Sequence, residues 1–151
     1  MALEDDLLNK INLILSGSSL FESSVLLDVL NRLESLGYTL KDSDDWVISF
    51  AVQKIENTIK NECNVTMIPD GLKNVAVDMI CGEILYSLKN SGKLEGFNLE
   101  VALQSVQAGD TNVTFAVGQG SKTPEQRLDA LLSYLITNGR GEFVCYRKFK
   151  W

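Results

Sequence analysis

The sequence contains no histidine. Its absence removes Ser–His and Cys–His nucleophile pairs and the commonest general base near neutral pH. Carboxylate or lysine chemistry is left on paper, but no residue pattern points to it, so no catalytic residue is assigned. Cysteine is scarce. Cys63, Cys81 and Cys145 are widely spaced, form no Cys-x-x-Cys pair and find no histidine to complete a zinc site. They read as free thiols behaving as small apolar residues, and no metal or cofactor is expected. The two prolines, Pro69 and Pro124, each suit the first position of a helix, where a missing amide hydrogen costs nothing. No apolar run approaches the roughly 18–20 residues that a membrane span needs. The opening Met-Ala-Leu-Glu-Asp-Asp is acidic where a secretory signal is basic, so a cytoplasmic chain is expected.

What is present suits a single domain. A chain of 151 residues with 45% apolar and 23% charged content has room for a real core. Its net charge of −6 is unevenly spread. Residues 1–45 hold nine acids against three bases, whereas residues 140–151 hold Arg140, Arg147, Lys148 and Lys150 against Glu142 alone. Binding DNA through phosphates calls for a broad positive face, which an acidic body does not offer. A basic tail on such a body fits an acidic partner or the acidic body of a neighbouring copy.

Apolar spacing predicts a mainly helical chain. Leu3, Leu7, Leu8, Ile11, Ile14 and Leu15 form one stripe. Val25, Leu26, Val29, Leu30 and Leu33 form a second, closed by Gly37. A third helix over about 44–61 buries Ile48, Val52, Ile55 and Ile59, with Trp46 and Phe50 widening its apolar face. Asp42, Asp44 and Asp45 stand just before it, where carboxylates serve as N-caps far more often than as metal ligands. A fourth helix, about 69–89 with Pro69 at its first position, is apolar on most sides and is expected at the centre. Gly82 inside it costs roughly 1 kcal/mol relative to alanine, which implies a neighbouring helix packed close against that spot.

Residues 93–122 break this pattern. Leu99 to Val106 suits two helical turns, and Asn112 to Val117 alternates as a strand does, so a short β-hairpin-like excursion is expected. Gly118-Gln-Gly-Ser-Lys-Thr123 departs from a phosphate-binding loop, because Ser121 separates Gly120 from Lys122 and Pro124 removes an amide. Thr123-Pro-Glu-Gln126 is a capping box, followed by the stripe Leu128, Leu131, Leu132 and Leu135.

After Gly139-Arg-Gly141 the chain ends in a basic, aromatic tail. One reading folds it back as a strand on its own domain. The favoured reading is an extended docking arm, residues 142–151, attached to a helical domain of residues 1–141. Glu142, Phe143, Val144, Tyr146, Arg147, Lys148, Phe149 and Trp151 would meet the partner, the aromatics acting as anchors.

Several segments together resemble the head–tail connector (adaptor) proteins of long-tailed bacteriophages of Gram-positive bacteria. They are Val52-Gln-Lys-Ile-Glu-Asn-Thr-Ile-Lys60 with Asn64, Ile68-Pro-Asp-Gly-Leu72, and Val77-Asp-Met-Ile-Cys-Gly-Glu83. Further along come Gly109-Asp-Thr-Asn-Val-Thr-Phe115, Thr123-Pro-Glu-Gln-Arg-Leu-Asp-Ala130, and Gly139-Arg-Gly-Glu142 with Tyr146-Arg147 and Trp151. The resemblance covers roughly residues 25–151; residues 1–24 match nothing in it. It implies a bundle of four to five helices that assembles into a ring, of twelve copies, beneath the portal at the phage head. The tail would dock on the portal clip, and the ring would carry the next neck or tail-completion protein. Double-stranded DNA would pass its lumen without specific binding. A virion protein at the head–tail interface, assembled in the host cytoplasm, is implied.

Trp46, Phe50, Tyr86 and Phe115 are candidate contacts between copies. The alternative is a small cytoplasmic protein-binding or regulatory module that uses the same C-terminal arm.

Overall fold

In a computed structural model the described residues are 2–15, 23–65, 68–92, 94, 97, 99, 102 and 124–146. They form a helical bundle. Its helices are α1 (Ala2–Leu15), α2 (Ser23–Ser35), α3 (Asp45–Cys63), α4 (Lys73–Asn90), α5 (Pro124–Thr137) and a single turn, α6 (Phe143–Tyr146). Short 3₁₀ turns occupy Asp42–Asp44, Asp70–Leu72 and Asn138–Glu142.

The apolar spacing explains the packing. α4 buries Ala76, Val77, Met79, Ile80, Cys81, Ile84, Leu85 and Leu88. No single stripe of it is apolar, and it is packed on several sides, by α2, α3 and α5. Each fully buried side chain of that size contributes roughly 1.5–3 kcal/mol relative to exposure. Opposed side chains show that all three neighbours run antiparallel to α4. Arg32 Nε meets Asp78 Oδ1 at 3.0 Å, and Cys81 Sγ donates to the Val29 carbonyl at 3.7 Å. Lys54 Nζ meets Glu83 Oε2 at 3.1 Å, while Lys89 pairs with Asp129. α1 packs on α3 and α2 through Leu7, Ile11 and Leu15.

Gly82 is where α5 comes closest. A Cβ there would lie 2.9 Å from the Leu135 Cβ and 2.8 Å from Ile136 Cγ1. The helix interior tolerates glycine because only a hydrogen leaves room for the neighbouring helix.

Helix ends follow local chemistry. Gly37 takes φ 90°, its amide donates to Glu34 O and the Tyr38 amide donates to Leu33 O, which together satisfy the last carbonyls of α2. α3 runs to Cys63, two residues beyond the stop expected near 61, and is closed by Asn64 in the left-handed conformation at φ 54°. Asparagine reaches that region more readily than most side chains.

Three expectations are corrected. Pro69 is not the first residue of a helix; it is extended (φ −60°, ψ 142°), and its carbonyl accepts from Leu72 to form a 3₁₀ turn before α4. Asp44 does not cap α3 by a side-chain hydrogen bond. Its carboxylate turns back to accept from the Lys41 amide at 2.9 Å and the Tyr38 hydroxyl at 2.8 Å.

The third concerns the arm. Residues 142–146 are neither extended nor separate from the domain: Glu142 ends a 3₁₀ turn and α6 follows it. Phe143 is 1% exposed, so the turn carries a large aromatic ring into the core. The helical domain therefore continues through Tyr146, not 141. The capping residue Thr123, the strand over 112–117 and residues 147–151 lie outside the described residues. Of the excursion, Ala102 is buried while Leu94, Phe97 and Leu99 pack half-buried on the core.

Candidate interaction surface

The site begins with the exposed side of α3. Trp46 and Phe50 lie one turn apart and are 67% and 70% exposed, although their neighbours Ile48, Val52 and Ile55 are buried. Antiparallel register adds a third ring. Lys54 pairs with Glu83, and Val47 and Leu88 line one cavity nearer the start of α3, so Phe50 falls level with Tyr86 on α4. Tyr86 is 47% exposed. Trp46 and Phe50 thus stand exposed one turn apart on α3, and Tyr86 stands exposed on α4 at about the level of Phe50. Below them a groove continues along α3, lined by Phe50, Gln53, Lys54, Asn57, Thr58 and Asn61. Aromatic rings beside amide side chains suit an extended peptide: rings take apolar or cationic side chains and amides take backbone groups.

Carboxylates stand at the upper end of this face. Asp42 pairs with Lys10 at 2.6 Å, joining α1 to the turn before α3. The hydrogen bond to Asp42 raises the Lys10 pKa most; desolvation opposes it, and the charges of Asp42, Asp45 and Asp6 add to it. Asp6 and Asp45 therefore lie within electrostatic range of the same ammonium group. Asp44 is different in kind. It is buried and hydrogen-bonded to Tyr38, whose phenol is pushed upward first by burial and then by that hydrogen bond and the Asp44 charge. This pair pins the connector between α2 and α3. Among the described residues no group of three or more Cys, Asp or Glu side chains is placed to hold a metal ion.

The candidate docking residues divide. Phe143 is in the core, where the Cys63 thiol donates to its carbonyl oxygen at 3.7 Å. Tyr146 packs against the turn before α4, so closely that a Cβ on Gly71 would overlap its hydroxyl. Gly139 is similarly covered by Val75, and Arg140 Nη1 meets Glu62 at 3.3 Å. Glu142 and Val144 face outward. Arg147, Lys148, Phe149, Trp151 and Phe115 fall outside the described residues. The structure thus leaves three of the four candidate contact residues exposed, while folding two of the proposed arm anchors onto their own bundle.

Sequence reasoning missed the Tyr38–Asp44 contact and the glycine seats at Gly71 and Gly139. The first had a signal, a tyrosine in a polar connector six residues before an aspartate; the seats had none, because the side chains filling them come from distant segments. Comparison with protein-family models, curated proteins and solved structures yields no match for this chain.

Proposed function

We propose that this chain is a structural head–tail connector (adaptor) subunit of a long-tailed bacteriophage. Twelve copies form a ring beneath the portal, extend the DNA channel and present a surface to the next neck or tail-completion protein. The subunit has no chemistry of its own in this reading. It works in the virion, at the head–tail interface, after assembly in the host cytoplasm.

The carrying observation is the exposure of Trp46, Phe50 and Tyr86 on an otherwise well-filled bundle. Large rings left outside a core that buries its other apolar stripes are the mark of a surface made for packing against protein. Ring formation needs such a surface on every copy. The motif resemblance supplies the architecture. The net charge of −6 suits a channel through which DNA slides, since like charge keeps the phosphate backbone off the wall.

Portal docking now rests on residues 147–151, with exposed Glu142 and Val144 beside them. Phe143 and Tyr146 serve the bundle instead. The test is electron microscopy of the chain mixed with portal rings from the same phage. Added density forming a ring of regular copies on the portal clip, lost when residues 147–151 are deleted, is the expected result. A chain that leaves portal unchanged and binds another cytoplasmic protein through those residues would replace this reading with that of a regulatory module.

A further inference from the structure

The groove on α3 and the segment beyond Tyr146 start from the same place. The turn and helix leading into residues 147–151 are fixed at the C-terminal end of α3. Arg140 Nη1 meets Glu62 at 3.3 Å, and the Cys63 thiol donates to the Phe143 carbonyl at 3.7 Å. Tyr146 lies on Gly71, in the turn between α3 and α4. Asn61, beside Glu62, marks the near end of the groove, and Phe50 marks the far end. From one to the other the helix rises roughly 16–17 Å. A five-residue segment, fully extended, spans at most about 18 Å, and its side chains add to that reach. Residues 147–151 are therefore long enough to run from the near end of the groove to the ring at the other.

The chemistry of the segment suits that path. Residues 147–151 read Arg-Lys-Phe-Lys-Trp. In an extended chain successive side chains point to opposite sides, which puts Arg147, Phe149 and Trp151 together and both lysines opposite them. One side is thus aromatic and needs cover, while the other is suited to water. Phe50 is 70% exposed and offers a ring face to an aromatic partner. Gln53, Asn57 and Asn61 offer amide donors and acceptors, which an extended backbone outside any sheet requires. Lys54 also lines the groove, but Glu83 holds it at 3.1 Å, so the lining sets no unpaired cation against the basic segment.

We propose that residues 147–151 fold back along α3 of their own subunit, as a latch within one chain. Phe149 and Trp151 lie in the groove, Trp151 reaches the ring of Phe50, and Lys148 and Lys150 stay in water. The tether favours this contact over any between molecules. Tyr146 already holds the segment at the near end of the groove, and a linker this short gives an effective concentration on the order of millimolar. The same residues are the ones left for portal, so an isolated subunit stores its docking segment and releases it to engage portal. That consequence rests on the connector reading; the latch itself does not.

The experiment reads the exposure of Trp151. The chain has two tryptophans, so the full-length Trp46→Phe variant keeps Trp151 as its single reporter. Acrylamide quenching of that reporter is compared with quenching of the free peptide Arg-Lys-Phe-Lys-Trp. The quenching constant is expected to be at least about threefold below that of the peptide, as a docked population above roughly two thirds requires. It is expected to be the same at every protein concentration, because the contact is internal. Two further changes are made in that background. Asn57→Lys/Asn61→Lys, at exposed positions, sets like charges along the path. Phe50→Ser removes the ring that Trp151 meets. Each is expected to return quenching towards the peptide level while circular dichroism shows the bundle intact. Protection smaller than threefold, protection that grows with concentration, or protection that survives either folded variant would overturn the proposal. No portal is present, so a failed latch leaves the connector reading standing, and a chain that ignores portal leaves the latch standing.

Discussion

The Cys63 thiol donates to the carbonyl oxygen of Phe143 at 3.7 Å, holding the last described turn against the end of α3. This one contact divides the C-terminal segment. Phe143 and Tyr146 belong to the bundle, and residues 147–151 with exposed Glu142 and Val144 are left as candidates for a partner.

Phe143→Ala is accordingly expected to cost about 3–5 kcal/mol, the range for removing a buried aromatic ring from a core. Chemical denaturation measures it. A loss under 1 kcal/mol would mean that the ring is not a core element and would return it to the docking arm.

Gly82→Ala sets two effects against each other. Helix propensity favours alanine by about 1 kcal/mol, whereas overpacking typically costs 1–3 kcal/mol. The Leu135 Cβ, 2.9 Å from the new methyl group, is fixed to its backbone and cannot swing aside. Net destabilisation of about 1 kcal/mol is expected, lowering Tm by roughly 2–4 °C. A raised Tm would show that α4 and α5 do not approach this closely.

Alkaline pH should weaken the fold through Tyr38 and Cys81. Burial raises both, with Asp44 adding to the first; at Cys81 Asp78 raises further while Arg32 lowers. Groups raised in the folded state contribute fully below their unfolded values and progressively less above them. Stability should therefore fall once pH passes 9.0, the ordinary thiol value, and more steeply past 10.0, that of tyrosine. Tyr38→Phe should flatten the later part of the decline in urea titrations taken across that range. An unchanged slope in the variant would remove Tyr38 as a cause.

Trp46→Ala and Phe50→Ala should leave the bundle itself almost untouched, within about 0.5 kcal/mol, because both rings stand mainly in solvent. Thermal melts at low concentration test this. A large drop would mean that the rings support the fold and are not spare surface.

Helix existence was legible because apolar spacing is a property of consecutive residues. Val25 to Leu33, Ile48 to Ile59 and Leu128 to Leu135 sit on buried or half-buried faces as their spacing predicts. Gly37 likewise announced a helix end before any packing was known. The tail misled for the same reason. Phe143, Cys145, Phe149 and Trp151 alternate with other residues as a strand would, but alternation says nothing about what lies above a segment when the chain closes.

The order of side chains alone determined that this protein is helical, which stripes face inward, that α4 is central and that acid and base gather in different parts. Those follow from local periodicity and chemistry. Tertiary structure alone decided that Phe143 turns inward onto the end of α3, that Tyr146 fills the space at Gly71, and that Val75 covers Gly139. Each of these depends on two segments far apart in the chain meeting at one register, which no single stretch of sequence encodes.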